Sequence, residues 1–219
     1  MTSNRPSNRG LPPVSEVFLD DGHRRAAAAA EAGDVAQLRA LAASRVDLDA
    51  VAPAGVNLLM YEIVASNETA VRALLDAGAD PNALTPLGAS PMLVAGAAED
   101  PRWLRLLLDK GGDPNLKDPS GEPLLTLLIP YGQWDNMLLL LDRGARIDEV
   151  GPSGQTATFR LGTLHQFDRV HAMLERGADP DIADVNGLQL RDFVLQRVAP
   201  DSPQVPWRQR VADRIGASP

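Results

Sequence analysis

The sequence of 219 residues has no cysteine, 29 acidic against 21 basic side chains, and a formal net charge of −8. Disulfides, thiolate nucleophiles and thiolate metal sites are therefore excluded. The acidic balance favours solubility and argues against a nucleic-acid surface. The length suits one large domain, and no apolar stretch approaches a membrane span, so no membrane insertion is expected.

Residues 1–13 are rich in Ser, Asn, Arg and Pro without hydrophobic periodicity, and read as a disordered leader. They lack the apolar run of a signal peptide. The chain as it stands is expected in the cytoplasm, and in the periplasm if a leader has been removed. Residues 14–50 form an atypical first unit. Ala26–Ala30 predicts a helix broken at Gly33-Asp34, and Val35, Leu38 and Leu41 face inward on a second helix. Its alanine-rich, more polar composition suits a terminal cap, whose outer face meets water.

From residue 51 to residue 182 the chain repeats four times with a period of 33. Gly55, Gly88, Gly121, Gly154 and Gly187 keep this step, as do Gly78, Gly111, Gly144 and Gly177, with Arg45 one step earlier. Such a period marks stacked supersecondary units. Val71, Leu74 and Leu75 form one apolar helix face, and it returns as Leu104, Leu107, Leu108, then Met137, Leu140, Leu141, then Val170, Met173, Leu174. Glycine at the end of each such helix suits the left-handed closing position. A tip of the form Pro-x-Gly follows, at Pro53, Pro86, Pro119 and Pro152. After the tip a shorter apolar segment, such as Pro91–Ala98 or Leu124–Pro130, predicts a first helix. Polar pairs, Asn67-Glu68 or Gly132-Gln133, separate it from the second. Residues 183–219 read as a C-terminal capping unit: Leu190, Phe193 and Val194 on a first helix, a proline-rich insertion at Ala199–Pro206, and Trp207, Val211 and Ile215 on one face of the last helix.

A turn followed by two antiparallel helices, closed by Leu74-Leu75-Asp76-Ala77-Gly78-Ala79-Asp80-Pro81-Asn82, resembles the ankyrin repeat. The resemblance implies an all-α solenoid of stacked helix-turn-helix units. It covers roughly Arg24 to Ile215, and the start, with Phe18, Asp20-Asp21 and Ala29-Ala30-Glu31-Ala32-Gly33-Asp34, is similar to that of compact bacterial ankyrin proteins. The family's Thr-Pro-Leu-His motif is degenerate here, reading Asn57-Leu58-Leu59-Met60, Ser90-Pro91-Met92-Leu93, Pro123-Leu124-Leu125-Thr126 and Thr156-Ala157-Thr158-Phe159. No repeat keeps the family histidine, so the hydrogen-bond network it makes between repeats is expected to be missing.

No pattern for chemistry emerges, and no catalytic, cofactor-binding or metal-binding residue is expected. His165 and His171 lie six apart across a helix break, which is not the spacing of a zinc helix, and His23 stands far from both. There is no nucleophile-elbow, phosphate-loop or zinc-protease motif. Asp113, Asp118 and Glu122 crowd one turn, where aspartate side chains bond their own backbone. Glu62 falls in register with Ala95, Leu128 and Leu161, so an inward carboxylate paired with a neighbour such as Arg72 is expected. The chain is therefore read as no enzyme.

What remains is a surface. In ankyrin stacks, partners meet the concave side, made of the turn tips and the exposed face of each first helix. Carried over by position, this gives Pro53, Ala54, Val56 and Ala65, then Leu84, Leu87, Ala89 and Ala98, then Lys117, Ser120, Glu122 and Tyr131. The next units give Val150, Ser153, Gln155 and Leu164, then Asn186 and Leu188. These positions are apolar for solvent-facing ones, which marks an interaction site. Tyr131 is the candidate anchor, while Trp134 and Phe167 read as packing residues. The resemblance implies a partner protein and a chain that is monomeric when free. Two partner classes stay open: a secreted toxin neutralised by a bacterial immunity protein, and the partner of a general intracellular scaffold or regulator.

Overall fold

The computed structural model describes residues 11–196 and 199–217; of the expected leader, residues 1–10 lie outside the described residues. The described residues contain thirteen α-helices, one 3-10 helix and no strand, so the fold is all-α as expected. The chain divides after Asp113 into two compact bodies.

In the first body the helices are α1 (Val14–Val17), α2 (Asp21–Glu31), α3 (Val35–Ala43), α4 (Leu58–Val64), α5 (Glu68–Ala77), α6 (Pro91–Ala97) and α7 (Arg102–Asp109). The short α1 has no period to announce it; its last residue Val17 and the following Phe18 are buried, with Phe18 edge-on to Tyr61. Helix α2 packs on α3 and α5, α4 on α5 and α6, and α6 on α7. The apolar face of α5 is buried as its spacing predicts, through Val71, Leu74 and Leu75, and α7 follows with Leu104 and Leu107, Leu108 being half-buried. Each such side chain adds about 1.5–3 kcal/mol on burial. The degenerate motifs keep their capping role. The side chains of Asn57 and Ser90 accept the N–H of Met60 (2.9 Å) and Leu93 (3.1 Å), closing the starts of α4 and α6. Glu62 on α4 is buried to 1% exposure, as its register indicates. Arg72, however, pairs with Glu68 at 2.7 Å one helical turn away.

The second body holds α8 (Leu124–Leu127), a 3-10 turn (Ile129–Tyr131), α9 (Trp134–Asp142), α10 (Ala157–Thr163), α11 (Phe167–Glu175), α12 (Leu190–Val194) and α13 (Val205–Arg214). The first helix expected over Leu124–Pro130 is cut to four residues. Pro130 has no N–H to continue the α pattern, and the chain tightens into the 3-10 turn instead. The proline-rich insertion is also shorter than expected, because Val205 and Pro206 already belong to α13. Helix α10 packs on α11 and α12, and α11 on α13. Phe167 is fully buried, and Phe193 meets Phe159 edge-on at 5.1 Å. Trp134 is half-buried with the Arg169 guanidinium 5.5 Å from its ring centre.

The closing glycines Gly78, Gly111, Gly144 and Gly177 all have φ between +93° and +105°, and Arg45 takes the same left-handed position at +72°. A further series escapes the sequence pattern. Gly33, Ser66, Gly132 and His165 are all left-handed at the link between paired helices, though only two are glycine.

In place of the missing histidine network, side chains at the ends of the repeats bond backbone N–H groups of the next. The N–H of Asp80 donates to Asp49 Oδ1 (2.9 Å), and that of Asp113 to Asn82 Oδ1 (2.7 Å). In the second body the N–H of Arg146 donates to Asn115 Oδ1 (2.8 Å), and that of Asp179 to Asp148 Oδ1 (3.0 Å). Each rung ties one repeat to the next across the residue that closes the earlier repeat. The two asparagines add a second arm, donating from Nδ2 to the carbonyls of Gly111 (3.1 Å) and Gly144 (3.2 Å).

Candidate functional site

The turn tips are hairpin-like fingers built the same way in each repeat. In the first body the N–H of Ala52 donates to the Val56 carbonyl, and that of Thr85 to the Ala89 carbonyl; the N–H of Gly55 or Gly88, donating to the Ala52 or Thr85 carbonyl, closes each turn. Pro86 presets the turn and Gly88, at φ +83°, completes it in the left-handed region. The Thr85 hydroxyl accepts the Ala89 N–H at 3.0 Å, stiffening the finger. This geometry thrusts Leu87 into solvent, 90% exposed. Leu84 and, from the end of α4, Val64 are also exposed, whereas Val56, Ala65, Ala89 and Ala98 are half-buried. No charged residue occurs in the fingers 51–56 and 84–89, in a chain of net charge −8. Val64 was missed by position, since the family pattern points one residue further to Ala65.

The fingers of the second body are more polar. Asp118 Oδ1 accepts the N–H of Ser120 (2.9 Å) and of Glu122 (2.9 Å) and the Ser120 hydroxyl (2.6 Å). Asp184 Oδ1 repeats this with the N–H of Asn186 (2.8 Å) and of Leu188 (3.0 Å). At both carboxyls burial is the largest influence and raises the pKa, but these hydrogen bonds together overcome it and hold the group below its ordinary range. The aspartates thus act as loop braces, as the turn reading expects of Asp118. Asp113 has a different place: its N–H is on Asn82. The fingers around Ser153 and Val185 are joined by the Val185 N–H donating to the Ser153 carbonyl at 3.0 Å.

Three expected contact residues are already engaged. Glu122 is not solvent-facing: it is 8% exposed, ion-paired with Arg160 at 3.3 Å, and lies over Gly151. A Cβ at Gly151 would stand 2.3 Å from Glu122 Oε2, so glycine there leaves the room the carboxylate fills. Gln155 accepts from Arg160 Nε at 3.2 Å and is half-buried. Lys117 pairs with Glu149 and donates to the Val150 carbonyl at 3.3 Å. The hydrogen bond from Lys117 is the largest cause holding Glu149 below its ordinary range. Sequence register places each of these residues but not its partner: Arg160 of the next repeat for Glu122, and Glu149 and Arg160 within the same repeat for Lys117 and Gln155. Ser120 and Asn186 are exposed, though each side chain bonds the aspartate of its own finger, Asp118 at 2.6 Å and Asp184 at 3.4 Å, and Ser153 is half-buried with its hydroxyl covered; Tyr131 (51% exposed) and Leu164 (54% exposed) stand open at the ends of the first helices. Val150, Val185 and Leu188 add exposed apolar area. Val185 was hidden because it stands where the other tips carry proline.

Among the described residues, no group of three or more His, Cys, Asp or Glu side chains could hold a metal ion, and no helix is long and apolar enough to cross a membrane. The arrangement offers contact area and hydrogen-bonding tips on preformed turns. No family model and no curated protein sequence matches the chain. Solved structures do. The ankyrin repeat protein EF0377 is 24% identical with a TM-score of 0.65, the match covering 95% of this chain and 100% of that one. The ankyrin repeat domain of Bcl-3, described as a unique member of the IkappaB protein family, is 22% identical with a TM-score of 0.74, covering 91% and 89%. Together with the 33-residue register of fingers and helix pairs, these likenesses give the chain the fold of the ankyrin repeat proteins.

Proposed function

We propose that the chain binds another protein through its finger tips and first-helix ends, each body presenting a patch of its own, and that it carries no chemistry or cofactor. The observation that carries this reading is Leu87, 90% exposed on a finger whose turn and hydroxyl brace are already formed. A large apolar side chain held rigidly in water favours being covered, and a preformed surface loses little entropy when that happens. In the first body the patch is Leu84, Leu87 and Val64, bordered by Val56 and Ala89 and free of charge. In the second it is Tyr131 and Leu164 with Ser120, while Glu122, Lys117 and Gln155 hold the fingers in shape. Tyrosine brings a large rigid area and a polar tip, a common hot-spot chemistry.

The finer reading is a stoichiometric inhibitor, a bacterial immunity protein that holds a secreted toxin. Preformed fingers support it, because an inhibitor must be tight at low concentration. The test has two arms. Tagged wild-type chain, Leu87→Asp and Tyr131→Ala serve as baits in the native host, with captured proteins identified by mass spectrometry. A partner held by wild type and released by both variants supports the binding patches; retention by both variants rejects them. Deleting the gene should then sensitise the host to a neighbouring secreted effector. A deletion strain indifferent to every such effector rejects immunity and leaves an intracellular scaffold or regulator.

A further inference from the structure

Arg160, on α10, interrupts an apolar series. One, two and three repeats earlier the same place on the first helix holds Leu127, Val94 and Tyr61. Two neighbours set the orientation of its guanidinium. Nε donates to Gln155 Oε1 at 3.2 Å, and Gln155 Nε2 in turn donates to Asp184 Oδ2 at 3.5 Å. Nη2 lies 3.3 Å from Glu122 Oε1, yet that oxygen is buried and accepts no hydrogen bond, so charge rather than an aligned bond holds the pair. Of the guanidinium's N–H donors, only that on Nε is spent among the described residues, and Nη1 has no partner there. The side chain is nevertheless 36% exposed. Leu164 closes α10 one helical turn further on, which puts it on the same face as Arg160. Tyr131 takes the place of Leu164 one repeat earlier, at the end of the turn that follows α8, and α8 packs on α10. An oriented fork with unspent donors thus stands beside the two open anchors of the second body.

We propose that Arg160 sets the specificity of the second body's patch, which takes a protein segment carrying a carboxylate beside an apolar side chain; this rests on the binding of a partner protein at Tyr131 and Leu164. The apolar side chain is covered by Tyr131 and Leu164. The carboxylate accepts parallel bonds from the unspent edge of the fork, a geometry that arginine offers and lysine does not. Glu122 limits the charge of the occupant. Its carboxylate already offsets the charge of Arg160, so a single added negative charge is held by directed hydrogen bonds, whereas a doubly charged phosphate meets net repulsion. The chain's net charge of −8 disfavours acidic partners in general, so the acid is held only together with its apolar neighbour.

A phage-displayed library of short random peptides is panned on the full chain, and the enriched peptides are titrated by calorimetry into wild type, Tyr131→Ala, Arg160→Gln and Arg160→Lys. Peptides that Tyr131→Ala releases should carry Asp or Glu next to Leu, Met or an aromatic residue, and should bind both Arg160 variants about tenfold more weakly than wild type. Changing that acid to its amide in the peptide should cost wild type the same factor and cost Arg160→Gln nothing further, a coupling that a merely structural Arg160 would not produce. Peptides that depend on Tyr131 but carry no acid, or that bind wild type and Arg160→Gln alike, overturn the carboxylate proposal and leave the patch standing. A library that yields no peptide weakened by Tyr131→Ala overturns the patch itself, and the role of Arg160 with it. If Arg160→Gln does not fold, the change of acid to amide, measured on wild type, decides alone.

Discussion

Replacing Asn82 by Ala tests whether the ladder stabilises the stack. The substitution removes the bond accepted from Asp113 at 2.7 Å and the one donated to Gly111 at 3.1 Å. Each is worth about 0.5–1.5 kcal/mol net, and both ends are open enough for water to replace part of the loss, so about 1–2 kcal/mol is expected. The scale is set by two neighbours in the same body. Leu107 is fully buried, and Leu107→Ala should cost about 2–5 kcal/mol. Arg105 is exposed, and Arg105→Ala should fall within about 0.5 kcal/mol of wild type. Urea unfolding followed by far-UV circular dichroism and by the fluorescence of buried Trp103 gives the order. Asn82→Asp, which keeps the acceptor and when ionised lacks the donor, should fall between Asn82→Ala and wild type at neutral pH. If Asn82→Ala is indistinguishable from Arg105→Ala, the ladder is an ornament of the turns and the repeats are held by apolar burial alone.

Gly121 sits at φ +90° with only Pro152 Cγ, at 3.7 Å, near the place of a Cβ. Gly121→Val should therefore cost about 1–2 kcal/mol of purely backbone strain while the circular dichroism stays helical. Gly151→Ala brings a Cβ against the Glu122 carboxylate and should destabilise by about 1–3 kcal/mol. Glu122→Ala in the same chain should recover part of that, and strict additivity of the two changes would refute the packing of one over the other. Chelator should leave the melting temperature unchanged; a drop of several degrees would place an ion at Asp113, Asp118 and Glu122.

The fold was legible because period is a property of the chain itself. Glycines at fixed steps and Leu-Leu pairs announce helix ends and buried faces without any knowledge of neighbours. What the pattern concealed depends on contacts between repeats. Glu122 reads as a solvent-facing charge until Arg160, one repeat later, is seen to draw it inward over Gly151. Pro130 was visible as a proline, but its cost was hidden by the apolar run around it; the missing N–H turned a helix into a turn. Ser66 and His165 take left-handed conformations that neither residue type advertises. At the surface the register located Leu87, Tyr131 and Leu164, which the structure leaves exposed, but could not distinguish them from Gln155 or Lys117, whose side chains are spent on the fingers.

Calorimetry decides whether the finger tips and first-helix ends hold a protein partner. The partner captured from the host is titrated into purified wild type, Leu87→Asp, Tyr131→Ala and the control Arg105→Ala. Binding to wild type and to the control should be saturable, and at least tenfold weaker to each of Leu87→Asp and Tyr131→Ala, with helical signal and melting unchanged. Equal affinity for all four proteins would contradict binding there.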